Sequence, residues 1–204
     1  VSASPSIVVF DIGNVLVRWD MRFLFEKVIA DKAELDVFLR DVCSMQWHGT
    51  LDAGATYSTA IADLSARFPE YAKTIALYDT RWQETISGAI DSSVSILEKF
   101  RGAGVPNYAI TNFPAEKFEE TCARFPFLGG FDGVIVSGRE RIVKPDPAIF
   151  ELLLDRYGLK AADCVFIDDN PANVEAARMA GMVALRFETP DKLARDLRAF
   201  GFSV

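Results

Sequence analysis

Five short apolar runs, continuous rather than alternating, constrain this chain most: Ile7–Phe10, Tyr108–Thr111, Val134–Val136, Cys164–Ile167 and Val183–Phe187. A strand with one wet face alternates polar and apolar residues, whereas a strand covered on both faces does not. The runs therefore predict parallel strands buried between layers of helix. Helical signals separate most of them. Asp146 is placed to cap a helix with Pro147 in its first turn. The stripe Ile149, Phe150, Leu153, Leu154 and Tyr157 comes next, and Gly158 ends it. Asn170-Pro171 opens another helix, with Val174 and Ala177 inward and Gly181 at its close. Asp91 begins a third, carrying Val94, Leu97 and Phe100 and stopping near Gly102 and Gly104. Strand and helix in alternation predict an open α/β sheet with helices on both sides.

The stretch from Trp19 to Gly88 reads differently, with no run that reads as a strand. Phe23, Leu24, Val28, Leu35, Phe38 and Leu39 fit one or two amphipathic helices. Tyr57, Ile61 and Leu64 fit another, and Tyr71, Ile75, Tyr78 and Trp82 a fourth. So much helix between the first two strands is far more than a crossover needs. It reads as an inserted helical cap over residues 19–88, with a core formed by residues 1–18 and 89–204. The hinge would lie near Arg18–Asp20 and Ser87–Asp91. The aromatics Phe23, Phe25, Trp47, Tyr57 and Trp82 read mostly as packing, one or two of them lining a pocket.

Charge narrows the partners. A formal net charge of −7 without a lysine- or arginine-rich run disfavours nucleic acid and anionic membrane surfaces. No apolar stretch approaches the ~20 residues that span a bilayer. Val1–Phe10 has no basic segment before its apolar run, unlike a secretory leader. Cys43, Cys122 and Cys164 are far apart and sit in apolar settings, which reads as reduced structural thiols in a cytoplasmic protein. Oligomeric state leaves no trace in the sequence.

In open parallel sheets, ligands bind beyond the carboxyl ends of the strands. The first strand runs into Asp11-Ile12-Gly13-Asn14, the second into Thr111-Asn112, and the fourth into Asp168-Asp169-Asn170. The loop after the third reaches Lys144-Pro145-Asp146. Asp11, Asp168 and Asp169 would gather three carboxylates at one sheet edge. Such charges repel unless a cation joins them, and a hard cation with oxygen ligands fits. Lys144 supplies a point charge for an anion. Thr111 supplies a hydroxyl and an amide, and the turn at Ile12, Gly13 and Asn14 offers backbone N–H donors. Together these groups suit in-line phosphoryl transfer, where positioning and charge stabilisation do most of the catalysis.

These four segments resemble the four motifs of the haloacid dehalogenase-like hydrolase superfamily, in the branch with a helical cap after the first strand. The resemblance covers essentially the whole chain. It implies a Rossmann-like core and a magnesium-dependent phosphomonoester hydrolase acting on a small phosphorylated metabolite. Asp11 would be the nucleophile, forming an aspartyl-phosphate, and a metal ligand. The Gly13 carbonyl and Asp169 would also coordinate Mg2+, with Asp168 beside them directly or through water. Thr111 and Asn112 would hold the phosphoryl group, and Lys144 would neutralise both nucleophile and transferred group.

One position departs from the family's phosphatases, which usually carry Asp two residues after the nucleophile to protonate the leaving oxygen and activate water. Here it is Gly13, and glycine cannot shuttle a proton. Dehalogenases of the superfamily also lack that Asp, attack carbon, need no magnesium, and carry a fourth motif resembling Ser-Ser-Asn. The acidic pair Asp168-Asp169 therefore favours the phosphatase, and Asp-x-Gly-Asn-Val resembles a subset of sugar-phosphate phosphatases. A 2-haloacid dehalogenase and a non-catalytic module binding metal and phosphate are the alternatives. Metal-bound water or a cap residue would replace the missing acid, with candidates in Trp47-His48-Gly49-Thr50-Leu51-Asp52 or at Arg18 and Asp20. His48, the only histidine, reads first as an exposed loop residue.

Overall fold

Val8, Val9 and Phe10 are completely enclosed, as a continuous apolar run at the centre of a covered sheet must be. The computed structural model describes residues 5–204, so the expectation about Val1–Phe10 as a leader falls partly outside the described residues. Strand β1 (Ile7–Phe10) is followed by a short strand β2 (Val17–Trp19). Helices α1 (Arg22–Phe25), α2 (Lys32–Val37), α3 (Met45–Asp52), α4 (Tyr57–Arg67) and α5 (Ala72–Thr80) come next, and then β3 (Ile86–Ala89). The chain continues through α6 (Asp91–Gly102), β4 (Asn107–Thr111), α7 (Ala115–Arg124), β5 (Gly133–Val136), α8 (Ser137–Glu140) and α9 (Pro147–Tyr157). It ends with β6 (Cys164–Asp168), α10 (Pro171–Met179), β7 (Val183–Arg186) and α11 (Pro190–Ala199).

The five apolar runs form one parallel sheet in the order β5-β4-β1-β6-β7. Each run of the sequence reading is a strand, with ends shifted by a residue at most. This is the Rossmann-like α/β architecture. Side chains alternate along β1, so that Val8 and Phe10 join one core while Val9 joins the other. Ile96, Leu97 and Phe100 of α6 and Leu193 and Leu197 of α11 cover the first face. Ile149, Phe150 and Leu153 of α9, with Val174 and Ala177 of α10, cover the second. The caps are those the sequence predicts: Asp146 and Asn170 accept from the amides of Ala148 and Ala172, and Gly158 closes α9 in the left-handed region at φ 64°.

Two features of residues 19–88 correct the sequence reading. A two-stranded antiparallel ribbon exists there, β2 paired with β3, with a register irregularity at Arg18/Trp19. Strands of three and four residues containing Arg18, Ser87 and Gly88 are too short and too polar to show a periodicity. Val28 is exposed rather than on a buried stripe, because the chain turns after α1. Phe23 likewise stays outside the core, whereas Leu24, Leu35, Phe38, Tyr57, Leu64, Ile75, Tyr78 and Trp82 share the core that includes Phe10, with Leu39, Ile61 and Tyr71 packed against it. Polar ties join these helices to α7. Lys117 Nζ donates to the carboxylate and carbonyl of Asp79 at 2.5 and 3.0 Å, and Glu116 accepts from the Tyr57 amide at 3.1 Å.

Phe10 packs against Phe100 and Phe131 with ring centroids 6.3 and 6.4 Å apart. Phe10→Ala is expected to lower stability by about 3–5 kcal/mol, read from the denaturant midpoint. A loss below about 1 kcal/mol would mean that this face of the sheet is not the core described.

Candidate active site

The sheet brings the charges together by its register. Phe10 of β1 pairs with Ile167 of β6, and the Asp11 amide donates to the Ile167 carbonyl at 2.8 Å. Residues one step beyond, Asp11 and Asp168, then emerge side by side. Lys144 closes the gap from the loop after β5. Its ammonium lies 2.8 Å from Asp11 Oδ1, 2.7 Å from Asp168 Oδ2 and 3.0 Å from the Ile110 carbonyl. The loop is clamped there by Asn112, whose Oδ1 accepts from the Lys144 amide at 2.8 Å and whose Nδ2 donates to the Lys144 carbonyl at 3.0 Å.

Burial of Lys144 opposes its charge, yet two carboxylates in contact hold its pKa above the ordinary lysine value. Burial pushes the Asp11 carboxyl up to about 7 against the pull of Lys144, with Asp168 and Asp169 adding to the rise. Burial, then Asp168, raises Asp169 as well. The lysine faces two anions and keeps its proton. Asp11 faces one cation and two anions and holds its negative charge less readily.

Asp11, Asp168 and Asp169 each offer an oxygen within 4.8 Å of the others. They are not equivalent. Asp168 is fully buried, and both its oxygens are engaged: Oδ1 by the Asn170 amide and Asn173 Nδ2, Oδ2 by Lys144 and Asn173 Nδ2. Asp169 is partly exposed and, with Asp11, faces the cavity beyond. Sequence reasoning missed Asn173. The signal was a polar side chain in the first turn of α10, beside inward-facing Val174.

The remaining expected residues separate. Thr111 is buried and its hydroxyl has no partner, but it is not among the residues that line the cavity. The Asn112 side chain is committed to the Lys144 backbone, leaving only its main chain for a ligand. The Ile12 amide already donates to Asp11 Oδ1 at 2.7 Å. The Asn14 amide donates to the Val17 carbonyl, and Asn14 Oδ1 accepts from the Trp19 amide. Asn14 has φ 54°, a left-handed conformation that asparagine tolerates, and it turns the chain from β1 into β2. The donor cradle expected from Ile12 and Asn14 is therefore already engaged within the turn. Gly13 lines the cavity, and a Cβ there would meet nothing within 4 Å.

The cavity measures about 210 Å³. Asp11, Lys144 and Asp169 form its charged end, and Trp19, Met45, Trp82, Phe113 and Pro114 give it an apolar roof. His48 corrects the sequence reading: it is buried on α3, not exposed in a loop. Gly49 obscured that helix in the sequence, although Ser44 caps it by accepting from the Trp47 amide. The His48 ring stacks on Trp19 at 4.7 Å, and its Nδ1 lies 2.9 Å from the Tyr78 hydroxyl. Its Nε2 lies 3.4 Å from Asp52 Oδ2. Burial lowers the His48 pKa to about 4 and raises that of Asp52 to about 7. Burial disfavours the charged form of both groups, so it works against an ion pair across this contact.

A family model described as a hydrolase, haloacid dehalogenase-like, matches residues 5–181. A sesquiterpene phosphatase of Aspergillus oryzae is 35% identical over 104 residues, 51% of this chain and 53% of that protein. The chain spans about half the length of the curated relatives it matches first. Among solved structures, an enzyme of the same family from Bacteroides thetaiotaomicron, in complex with magnesium and inorganic phosphate, superposes with a TM-score of 0.68 at 19% identity. That alignment covers 90% of this chain and 94% of the other. The L-2-haloacid dehalogenase of Xanthobacter autotrophicus, with chloropropionic acid covalently bound, gives 0.64 at 18% identity over 98% and 85% of the two chains. At these identities the structures speak to the fold alone.

Removing Lys144 would leave two buried carboxylates facing each other. Lys144→Met is expected to lower stability by about 3–5 kcal/mol at pH 8. The deficit should narrow as the pH falls from 8 through 7, because without Lys144 the folded Asp11 carboxyl is raised still further and takes up a proton at higher pH, removing uncompensated charge. Denaturation at pH 8 and pH 5 measures both. A deficit that is independent of pH would contradict the charge balance described.

Proposed function

The chain belongs to the haloacid dehalogenase-like hydrolase family, and from that membership we propose that it hydrolyses a small phosphomonoester, with Asp11 as nucleophile and a magnesium ion bound. One observation carries the reading. Three clustered carboxylates and one ammonium, all ionised, leave two uncompensated negative charges, which is the charge of one divalent cation. A reaction at carbon that releases halide gives no reason to keep that surplus. Asp169 has free oxygens to hold the ion, and the Gly13 carbonyl and the Asp11 oxygen already beside Lys144 would complete the set, which leaves the second Asp11 oxygen to react. Asp168 supports them by fixing Lys144 and Asn173. When bound, magnesium would neutralise the carboxylates and the charge of the phosphoryl oxygens.

The residues of the chain divide the remaining work. The free oxygen of Asp11 attacks phosphorus and forms the aspartyl-phosphate. Lys144 holds the other oxygen and faces the equatorial charge. Asn112, which lines the cavity, would offer its main chain to the phosphoryl oxygens, with the enclosed Thr111 hydroxyl behind it. The core comprises residues 1–18 and 89–204, and residues 19–88 form the cap, with β2 and β3 carrying both crossings between them. Trp19, Met45 and Trp82 of the cap exclude water and select the substrate.

The free thiols Cys43, Cys122 and Cys164 support a reducing compartment, the cytoplasm. No helix among the described residues is long and apolar enough to cross a membrane.

The test is a panel of phosphomonoesters with and without magnesium. It should include sugar phosphates, which the first motif suggests, and a short prenyl phosphate, which the apolar roof and the Aspergillus relative suggest. Hydrolysis should require magnesium. Asp11→Asn should abolish it, and Asp169→Ala should raise the magnesium requirement at least tenfold while leaving the melting temperature nearly unchanged. Halide release from 2-chloropropionate without metal would establish the dehalogenase instead. Stabilisation by magnesium and phosphate without turnover would establish a binding module.

A further inference from the structure

An alkoxide leaves phosphorus readily only if a proton reaches it, and Gly13, next to the nucleophile, has no side chain to supply one. The cavity's other ionisable groups can be sorted by what already engages them. Asp11 is the nucleophile and Asp169 faces the ion. Lys144 bridges two carboxylates. His48 points Nε2 at Asp52 and Nδ1 at Tyr78, so neither nitrogen faces a ligand. Asp52 remains. It lines the same cavity as Asp11 and Gly13, it is nine-tenths buried, and its Oδ1 has no hydrogen-bond partner. An unpaired buried carboxylate oxygen is costly to keep for packing alone.

Asp52 is also held in place from two sides. Its carbonyl accepts from the Ser137 hydroxyl at 2.7 Å, and that hydroxyl accepts from the Phe113 amide at 3.0 Å. One serine thus joins the end of α3 to the loop after β4, which carries Asn112. Gly54, at φ 95°, lets the following turn approach closely, since a Cβ there would sit 2.9 Å from the Gly138 carbonyl. On the other side His48, fixed by Tyr78 and stacked on Trp19, touches Oδ2. Oδ1 is left enclosed and without a partner, while the side chain as a whole keeps a small opening onto the cavity.

We infer that Asp52 is the general acid and base of the reaction, working from helix α3 in place of a side chain at position 13. The inference rests on the phosphomonoesterase reading above. In the first step an Asp11 oxygen bonds to phosphorus, the ester P–O bond breaks, and the Asp52 proton passes to the departing oxygen, which leaves as the alcohol. In the second, Asp52 takes a proton from water as that water's oxygen bonds to phosphorus. The acyl–phosphate bond breaks, Asp11 and inorganic phosphate are released, and Asp52 has its proton again. Burial raises the Asp52 carboxyl, with Lys144 opposing and Asp11 adding to the rise, and the last position of a helix also disfavours the charged form, which favours the protonated acid at the start of the cycle.

Asp52→Asn tests this with two classes of substrate and a rescue. On an alkyl phosphate, turnover should fall about 10²- to 10⁴-fold. On an aryl phosphate such as p-nitrophenyl phosphate, whose leaving group needs no proton, the variant should give a stoichiometric burst of phenolate and accumulate phosphoenzyme, because only the second step is impaired. Gly13→Asp added to Asp52→Asn should restore most of the alkyl phosphatase activity, since the space at Gly13 is open. Equal losses on both substrates, with no burst and no rescue, would show that Asp52 is structural and overturn the inference. Undiminished turnover by Asp52→Asn would overturn it too. If the unsubstituted protein hydrolyses neither substrate class with magnesium, the phosphomonoesterase reading fails and takes this inference with it. If it does so and loses activity with Asp11→Asn, that reading stands whatever Asp52 does.

Discussion

Lys144 sits between two carboxylates on adjacent strands, and the rest of the site is organised around that contact. Neighbouring parallel strands that both end in aspartate set two negative charges side by side in a buried place. Such a sheet edge would be unstable without a cation of fixed position. The chain fixes it redundantly: the Asn112 side chain clamps the Lys144 backbone, the Ile110 carbonyl accepts a hydrogen bond from the ammonium, and Asn173 holds Asp168 from the far side. One ammonium satisfies only part of the charge. The remainder, directed into the cavity through Asp11 and Asp169, is the ground for proposing a second cation there.

The helical segment completes the cavity rather than merely covering it. Trp19 and Trp82 form an apolar wall, and α3 lowers His48 and Asp52 toward the charged end. Elements on both sides of the ribbon β2/β3 therefore share one small enclosed volume. The Ser137 hydroxyl ties the end of α3 to the loops of the sheet, so that displacing the helices would break a buried hydrogen bond. A substrate would meet charge at one end and aromatic surface at the other.

Much of this was legible in the sequence, for physical reasons. Continuous apolar runs mark strands buried on both faces, so all five were found. Asp146-Pro147 and Asn170-Pro171 are local capping chemistry, which depends on few neighbours. Asp11 and Asp168-Asp169 were legible because they lie at the ends of strands, which a parallel sheet gathers along one edge, and Lys144 because it stands in the Lys144-Pro145-Asp146 loop that follows the third apolar run. Other features depend on distant partners. The ribbon β2/β3 is too short to show a period. Ile12, Asn14 and Asn112 look like free donors until their partners Asp11, Val17, Trp19 and Lys144 are in place. The buried pair His48 and Asp52 was hidden by Gly49, although their spacing of four residues and the cap at Ser44 were both present in the sequence.

The central claim is that Asp11 carries the covalent chemistry at a site whose surplus charge a divalent ion balances. The most direct measurement is to quench the protein in acid during turnover of a phosphomonoester with magnesium, reduce with borohydride, and map the peptides. An aspartyl-phosphate is reduced to homoserine, so the account requires that conversion at Asp11 alone, and only when magnesium and substrate are both present. Turnover with Asp11 unmodified, or with the mark on another residue, would contradict it.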